Sequence, residues 1–211
     1  MNKELLKDAI ALMLITIVAG CLLGVVHMVT EKPIALQQEK TKQEAYQNVF
    51  PEAKSFIEVK EHSNELVQKA LKEQGLEQYN SIDEFLAVSD SENASADANV
   101  IGYVMTITNS EGYGGDITFT IGLTLDGTVK DIAFTALNET AGLGMKAAEE
   151  SFISQYRDKQ VESYMVTKSG ATADGEIDAL SGATITSSAV TNGVNAGLAY
   201  YRYFTGGDRN E

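Results

Sequence analysis

A chain of 211 residues has room for one or two domains. Its formal net charge of −14, from 30 acidic against 16 basic residues, argues against nucleic-acid binding, which needs a basic face to neutralise phosphates. A single cysteine, Cys21, rules out an internal disulfide, a CxxC redox pair and a cysteine-ligated Fe–S cluster. His27 and His62 leave little for zinc, and no metal site is expected.

After a short flank, 1–8, residues 9–29 (AIALMLITIVAGCLLGVVHMV) contain no Asp, Glu, Lys or Arg. As a helix the run reaches ~31 Å, matching a ~30 Å hydrocarbon core, and the reading is one transmembrane helix. It is longer than the 7–15-residue core of a cleaved signal peptide. Val18-Ala19-Gly20-Cys21 has the form of a lipobox, but apolar sequence continues beyond it. A membrane-buried thiol is the preferred reading over lipidation. Gly20 and Gly24 form a GxxxG step that could let a partner helix approach. Lys3 and Lys7 on one side against Lys32, Lys40 and Lys42 on the other leave orientation open. The first 32 residues hold three basic and three acidic residues, so the rest of the chain carries the whole −14.

Residues 30–99 are expected to form a juxtamembrane helical region and an acidic loop. Residues 34–50 read as a polar helix ending at Pro51. Residues 63–79 read as a second helix, weakened at Gly75, with Leu66, Ala70 and Leu71 at helical spacing. Residues 89–99 (SDSENASADAN) read as a solvated loop. Between Glu73 and Val129 there is no Lys or Arg against ten Asp and Glu, which by default is a solvated face.

A domain core is expected over 100–205. Residues 100–108, 117–125 and 128–135 are rich in β-branched and aromatic residues at period two. Asp126-Gly127 joins the last two as the preferred dipeptide of a two-residue type I′ hairpin. A helix over 145–157, with Ala148, Phe152 and Tyr156 on one face, and a strand over 164–168 follow. A closing helix over 188–204 ends at Gly206-Gly207, before a tail, 206–211. The fold class is α+β: one membrane helix, then an antiparallel sheet flanked by helices.

Three short segments carry chemistry. Asp178-Ala179-Leu180-Ser181-Gly182-Ala183-Thr184 feeds a helix N-terminus, where free amides and the hydroxyls of Ser181, Thr186, Ser187 and Ser188 suit a phosphate; ordinary capping is the bland alternative. Glu139-Thr140-Ala141-Gly142-Leu143-Gly144 and Gly112-Tyr113-Gly114-Gly115 are glycine-rich loops that by themselves are only flexible connections. No dinucleotide-binding GxGxxG follows a strand, and no nucleophile–base arrangement is evident, so no residue is assigned as catalytic.

In order, these segments resemble the D-x-x-(S/T)-G-A-T, ETPGLG and GYGG motifs of proteins that carry FMN on a threonine phosphoester. With the N-terminal membrane helix, nearly the whole chain is similar to the G subunit of the Rnf ion-translocating electron-transport complex. It is also related to the C subunit of the sodium-pumping NADH:quinone reductase. Ala141 stands where the family has proline, which loosens the loop without removing a functional group. The resemblance implies that Thr184 is the flavinylation site, modified from FAD by a separate Mg²⁺-dependent flavin transferase. It implies that Asp178 is the motif's fixed acid, and that Ser181, Gly182 and Ala183, with Ile185 and Thr186, line the phosphate end. Glu139, Thr140, Gly142, Leu143, Gly144, Tyr113, Gly114 and Gly115 then approach the ribityl chain or the ring. It further implies a redox subunit, not a catalyst alone, working with other subunits between ferredoxin and NAD⁺, with Na⁺ or H⁺ export. The soluble domain then lies on the outer side of the cytoplasmic membrane. The alternatives are a stand-alone membrane-tethered flavoprotein, a reductase C-type subunit with another acceptor, or a structural anchor without flavin.

Overall fold

The computed structural model describes residues 3–92 and 99–206. The chain divides into two units, Met1–Thr41 and Lys42–Glu211.

The first unit is helical. Its element, α1 (Lys3–Val49), continues into the second unit without a break at Pro33. The helix expected from 34 is therefore continuous with the helix that contains the expected span, not a separate element. Proline removes one backbone hydrogen bond, and the helix-forming stretches on either side absorb that loss. Within α1 an eighteen-residue window reaches a mean hydropathy of 2.8 and is wholly uncovered by the rest of the chain. It is long and apolar enough to cross a membrane.

The second unit is built on a five-stranded antiparallel sheet in the order β1-β2-β3-β4-β5. The strands are β1 (Ser55–Glu58), β2 (Asn80–Ser89), β3 (Val100–Asn109), β4 (Ile117–Thr124) and β5 (Val129–Ala136). The segment 30–99, expected to be a helical region and an acidic loop, also contributes two strands; its predicted helices are met by the end of α1, to Val49, and by α2 (Asn64–Glu73). Ser63 caps α2 by accepting the Leu66 N–H at 3.4 Å. Ser89 ends β2, and residues 93–98 of the expected acidic loop lie outside the described residues.

The turn between β4 and β5 is not the two-residue type I′ expected. Thr124 N–H donates to Thr128 O, Gly127 N–H donates to Thr124 O, and Gly127 alone takes the left-handed φ of +83°. A three-residue loop with glycine at its left-handed position closes the hairpin instead.

Helix α4 (Thr184–Thr205) begins four residues earlier than expected and packs across β2, β3 and β4. Gly206 is its C-cap; Gly207 lies outside the described residues. Its buried Val190, Val194 and Leu198 join Phe85, Met105, Ile107, Phe119 and Ile121 of the sheet in the main core. On the opposite sheet face, Tyr46, Val49 and Phe50 pack with Val88 and Val104 in a second cluster. Gly102 makes room for Phe50: a Cβ there would meet the ring at 2.4 Å. Glu84 sits at this face, paired with Lys42 at 2.6 Å and accepting from the Tyr46 hydroxyl and from Thr106 at 3.1 Å.

The helix expected over 145–157 is instead a 3₁₀ turn (Gly144–Ala148) and the single turn α3 (Glu150–Ile153). Glu149 between them is extended, with ψ of 147°. The short strands β6 (Met165–Thr167) and β7 (Glu176–Asp178) pair in parallel, and β7 delivers the chain to α4.

Candidate functional site

The segment between β7 and α4 is a turn shaped by the helix it precedes. Ala183 N–H donates to Leu180 O at 2.9 Å. The Ser187 hydroxyl donates to Ala183 O at 3.0 Å and accepts the Leu180 N–H at 2.9 Å. Gly182 takes a left-handed φ of +76°, which disfavours any residue with a Cβ. Ala183 is the N-cap of α4 and has no side-chain oxygen, so no side chain caps the first turn. An uncapped, partly positive helix end is what a phosphate seeks.

Two loops close over that helix end. The carboxylate of Glu139, 8 % exposed, accepts the Thr186 hydroxyl at 3.0 Å on one oxygen and the Gly114 N–H at 3.2 Å on the other. It thus ties the GYGG loop to the first turn of α4. Gly144 lies against this link: a Cβ there would stand 2.6 Å from both Glu139 Oε2 and Thr186 Oγ1. The GYGG loop is held at its start as well, where Glu111 accepts Asn192 Nδ2 at 2.7 Å.

Among the described residues these segments enclose a cavity of about 510 Å³. That lies in the range of roughly 300–1,000 Å³ usual for small-molecule sites. From the helix start it is lined by Gly182, Ala183, Thr184, Ile185 and Thr186; from the second loop by Glu139, Thr140, Leu143 and Gly144; and from the GYGG loop by Tyr113. Its rim is apolar and solvent-exposed: Tyr113 is 72 % exposed, Ile185 54 % and Leu143 41 %.

Ten predicted site residues thus meet at one cavity. Five do not line it. Gly114 acts through its N–H on Glu139. Gly115, Gly142 and Ser181 are exposed in their loops. Asp178 is exposed and accepts the Ala171 N–H at 2.6 Å, so it braces the loop between β6 and β7. Two hydroxyls read as phosphate donors point elsewhere: Ser187 is fully buried in the turn, and Thr186 is committed to Glu139.

Sequence reasoning missed Asn192, Asn195 and Thr191, polar side chains of α4 that anchor neighbouring segments, and read Ser187 as a phosphate donor rather than an anchor. Beyond Ser187 and Asn192, Asn195 Oδ1 accepts the Tyr164 N–H at 2.8 Å. Thr191 donates to Ser187 O at 2.8 Å and meets the Tyr156 hydroxyl at 2.7 Å. Burial pushes the Tyr156 hydroxyl far up, so it stays neutral. On a helix these residues look like ordinary polar positions, and their partners lie far off in sequence.

The FMN-binding domain family model matches residues 112–199, and the RnfG N-terminal region model matches residues 1–49. Over 203 residues the chain is 32 % identical to the G subunit of the Na(+)-translocating ferredoxin:NAD(+) oxidoreductase complex of Acetobacterium woodii, covering 95 % of this chain and 93 % of that protein. The chain belongs to the RnfG family.

A second family member, the G subunit of the proton-translocating ferredoxin:NAD(+) oxidoreductase complex of Clostridium ljungdahlii, is 38 % identical over 131 residues, 61 % of this chain and 70 % of that protein. Among solved structures, the C subunit of the Na(+)-translocating NADH-quinone reductase from Parabacteroides distasonis is similar, with a TM-score of 0.46 and 24 % identity. It covers 64 % of this chain and 67 % of that one. The match to the FMN-binding domain takes in the GYGG loop, the Glu139 loop and the start of α4. All three cavity segments thus belong to the domain for which FMN is the expected cofactor.

Proposed function

We propose that this chain is the membrane-anchored electron-transfer subunit of an Rnf-type ferredoxin:NAD⁺ oxidoreductase coupled to Na⁺ or H⁺ translocation, carrying FMN as a phosphoester on Thr184. The observation that carries the reading is the meeting of all three motif segments at one cavity, at the uncapped N-terminus of α4.

The residues present fit the group. The free amides of the first turn of α4 offer donors to a phosphate, and Thr184 sits in that turn with its side chain half-buried. Gly182 and Gly144 line the cavity without side chains of their own. Tyr113, Leu143 and Ile185 offer apolar surface that a planar ring can cover. When bound, FMN supplies a carrier of one or two electrons; the protein supplies position and electrostatics. A covalent link prevents loss of the carrier at a membrane surface.

Attachment is assigned to a separate Mg²⁺-dependent flavin transferase. The Thr184 hydroxyl gives up its proton and forms an Oγ–P bond to the FMN-side phosphorus of FAD. The pyrophosphate P–O bond breaks and AMP leaves. Asp178, exposed at the end of β7, is available for recognition by that enzyme. On this reading the soluble unit lies on the outer side of the cytoplasmic membrane; the apolar part of α1 is long enough to anchor it.

The test is a denaturing gel viewed under ultraviolet light, on protein co-expressed with its transferase. Wild-type protein gives a fluorescent band and Thr184→Ala gives none. Absence of flavin in the wild type, or its retention in Thr184→Ala, overturns the reading.

A further inference from the structure

The Glu139 carboxylate is 8 % exposed and lines the cavity, yet both of its oxygens are engaged inside the protein, by Gly114 N–H and by the Thr186 hydroxyl. A carboxylate is a poor neighbour for a phosphate, since like charges repel strongly where water is scarce. Its hydrogen bonds point to a different task. Thr186 lies two residues beyond Thr184 in the same helical turn, so holding the Thr186 side chain fixes the rotation of that turn. Gly114 belongs to the loop facing it across the cavity. Each of the two donors finds its acceptor on the same side chain, so one residue braces two otherwise separate segments. Gly144 fits the same purpose, because any side chain there would wedge the link apart.

We infer that Glu139 is a positioning residue: it locks the first turn of α4 against the GYGG loop and so holds Thr184 in the geometry in which its hydroxyl can accept the flavin phosphate. This rests on the reading of Thr184 as the attachment site. The role belongs to the hydrogen-bonding link, not to the charge. Glutamine keeps the link, because its Oε1 accepts from Gly114 while its amide donates to the Thr186 hydroxyl. Alanine removes it and leaves two donors without a partner.

The experiment measures the initial rate of flavin incorporation into the full-length, detergent-solubilised protein by purified transferase, with saturating FAD and Mg²⁺. Wild type, Glu139→Gln, Glu139→Ala and Thr184→Ala are compared, with near-ultraviolet circular dichroism as the check on native tyrosine packing. Glu139→Ala, natively folded, labels at least about tenfold more slowly, whereas Glu139→Gln stays within about threefold of wild type. Two results overturn the inference: Glu139→Ala labelling at the wild-type rate, or Glu139→Gln labelling as poorly as Glu139→Ala. Where Glu139→Ala loses its native spectrum, Thr186→Val replaces it, removing the donor at nearly constant shape, and the same slow labelling is expected; a wild-type rate again overturns the inference. Labelling of Thr184→Ala refutes the attachment site itself, whatever the Glu139 variants do.

Discussion

Replacing Gly144 by alanine tests whether the Glu139–Thr186 link holds the site together mechanically. The added methyl would lie 2.6 Å from Glu139 Oε2 and Thr186 Oγ1 and 2.7 Å from Glu139 Cβ, well inside contact distance. Overpacking of this kind costs ~1–3 kcal/mol. Breaking a buried hydrogen bond to a charged group costs ~1.5–3 kcal/mol. One displacement causes both, so the two costs overlap and the net loss is ~3 kcal/mol rather than their full sum. At ~2–4 °C per kcal/mol for a chain of this size, Tm falls by ~6–12 °C. Gly142→Ala is the control in the same loop: nothing lies within 4 Å of its Cβ position, and only its φ of +76° is strained. That costs ~1–2 kcal/mol. The assay is thermal melting followed by near-ultraviolet circular dichroism of the tyrosines. If Gly144→Ala melts at the wild-type temperature, or no lower than Gly142→Ala, the link is not the tight point described.

Other perturbations test the frame around the site. Phe50→Ala empties a site that is 1 % exposed against the sheet, and urea unfolding should show a loss of ~3–5 kcal/mol. Burial holds the His62 imidazole below its ordinary value, against weaker opposing effects of the Ile82 backbone and nearby carboxylates. The unfolded chain therefore binds the extra proton more readily. Stability falls as pH drops through about 6.5, and His62→Gln should flatten that part of the urea-midpoint profile. Burial tends to raise the Glu84 carboxyl, but hydrogen bonds from Lys42 and Tyr46 outweigh it and hold it below the usual value. Its contribution is complete above about pH 4.5 and is lost as pH falls through the lower, folded value; Glu84→Gln should remove that acid-side loss.

The sheet core was legible where the period was clean. Residues 100–108, 117–125 and 128–135 are so rich in β-branched and aromatic residues that three strands and the position of the turn could be read directly, although the turn type could not. Strand β2 escaped notice because Asp83 and Glu84 interrupt its apolar pattern. Glu84 is tolerated only because Lys42 and Tyr46, some forty residues away in sequence, satisfy it. The helix over 145–157 was overread because Phe152 and Tyr156 have helical spacing, which one helical turn and a following bend reproduce equally well. The site was legible as motifs, because glycines and small residues at close approaches leave a local signature. What holds the motifs in register was not. Glu139 finds Thr186 across 47 positions, and Asn192 finds Glu111 across 81. Neither pairing has any local trace.

The central claim is that Thr184 carries the flavin. Its most direct test is mass spectrometry of peptides from the purified protein, made in the presence of its flavin transferase. The account predicts that the peptide containing Thr184 gains the mass of FMN less one water and that fragmentation places the addition on Thr184. No addition, or the same addition on another residue, would contradict it.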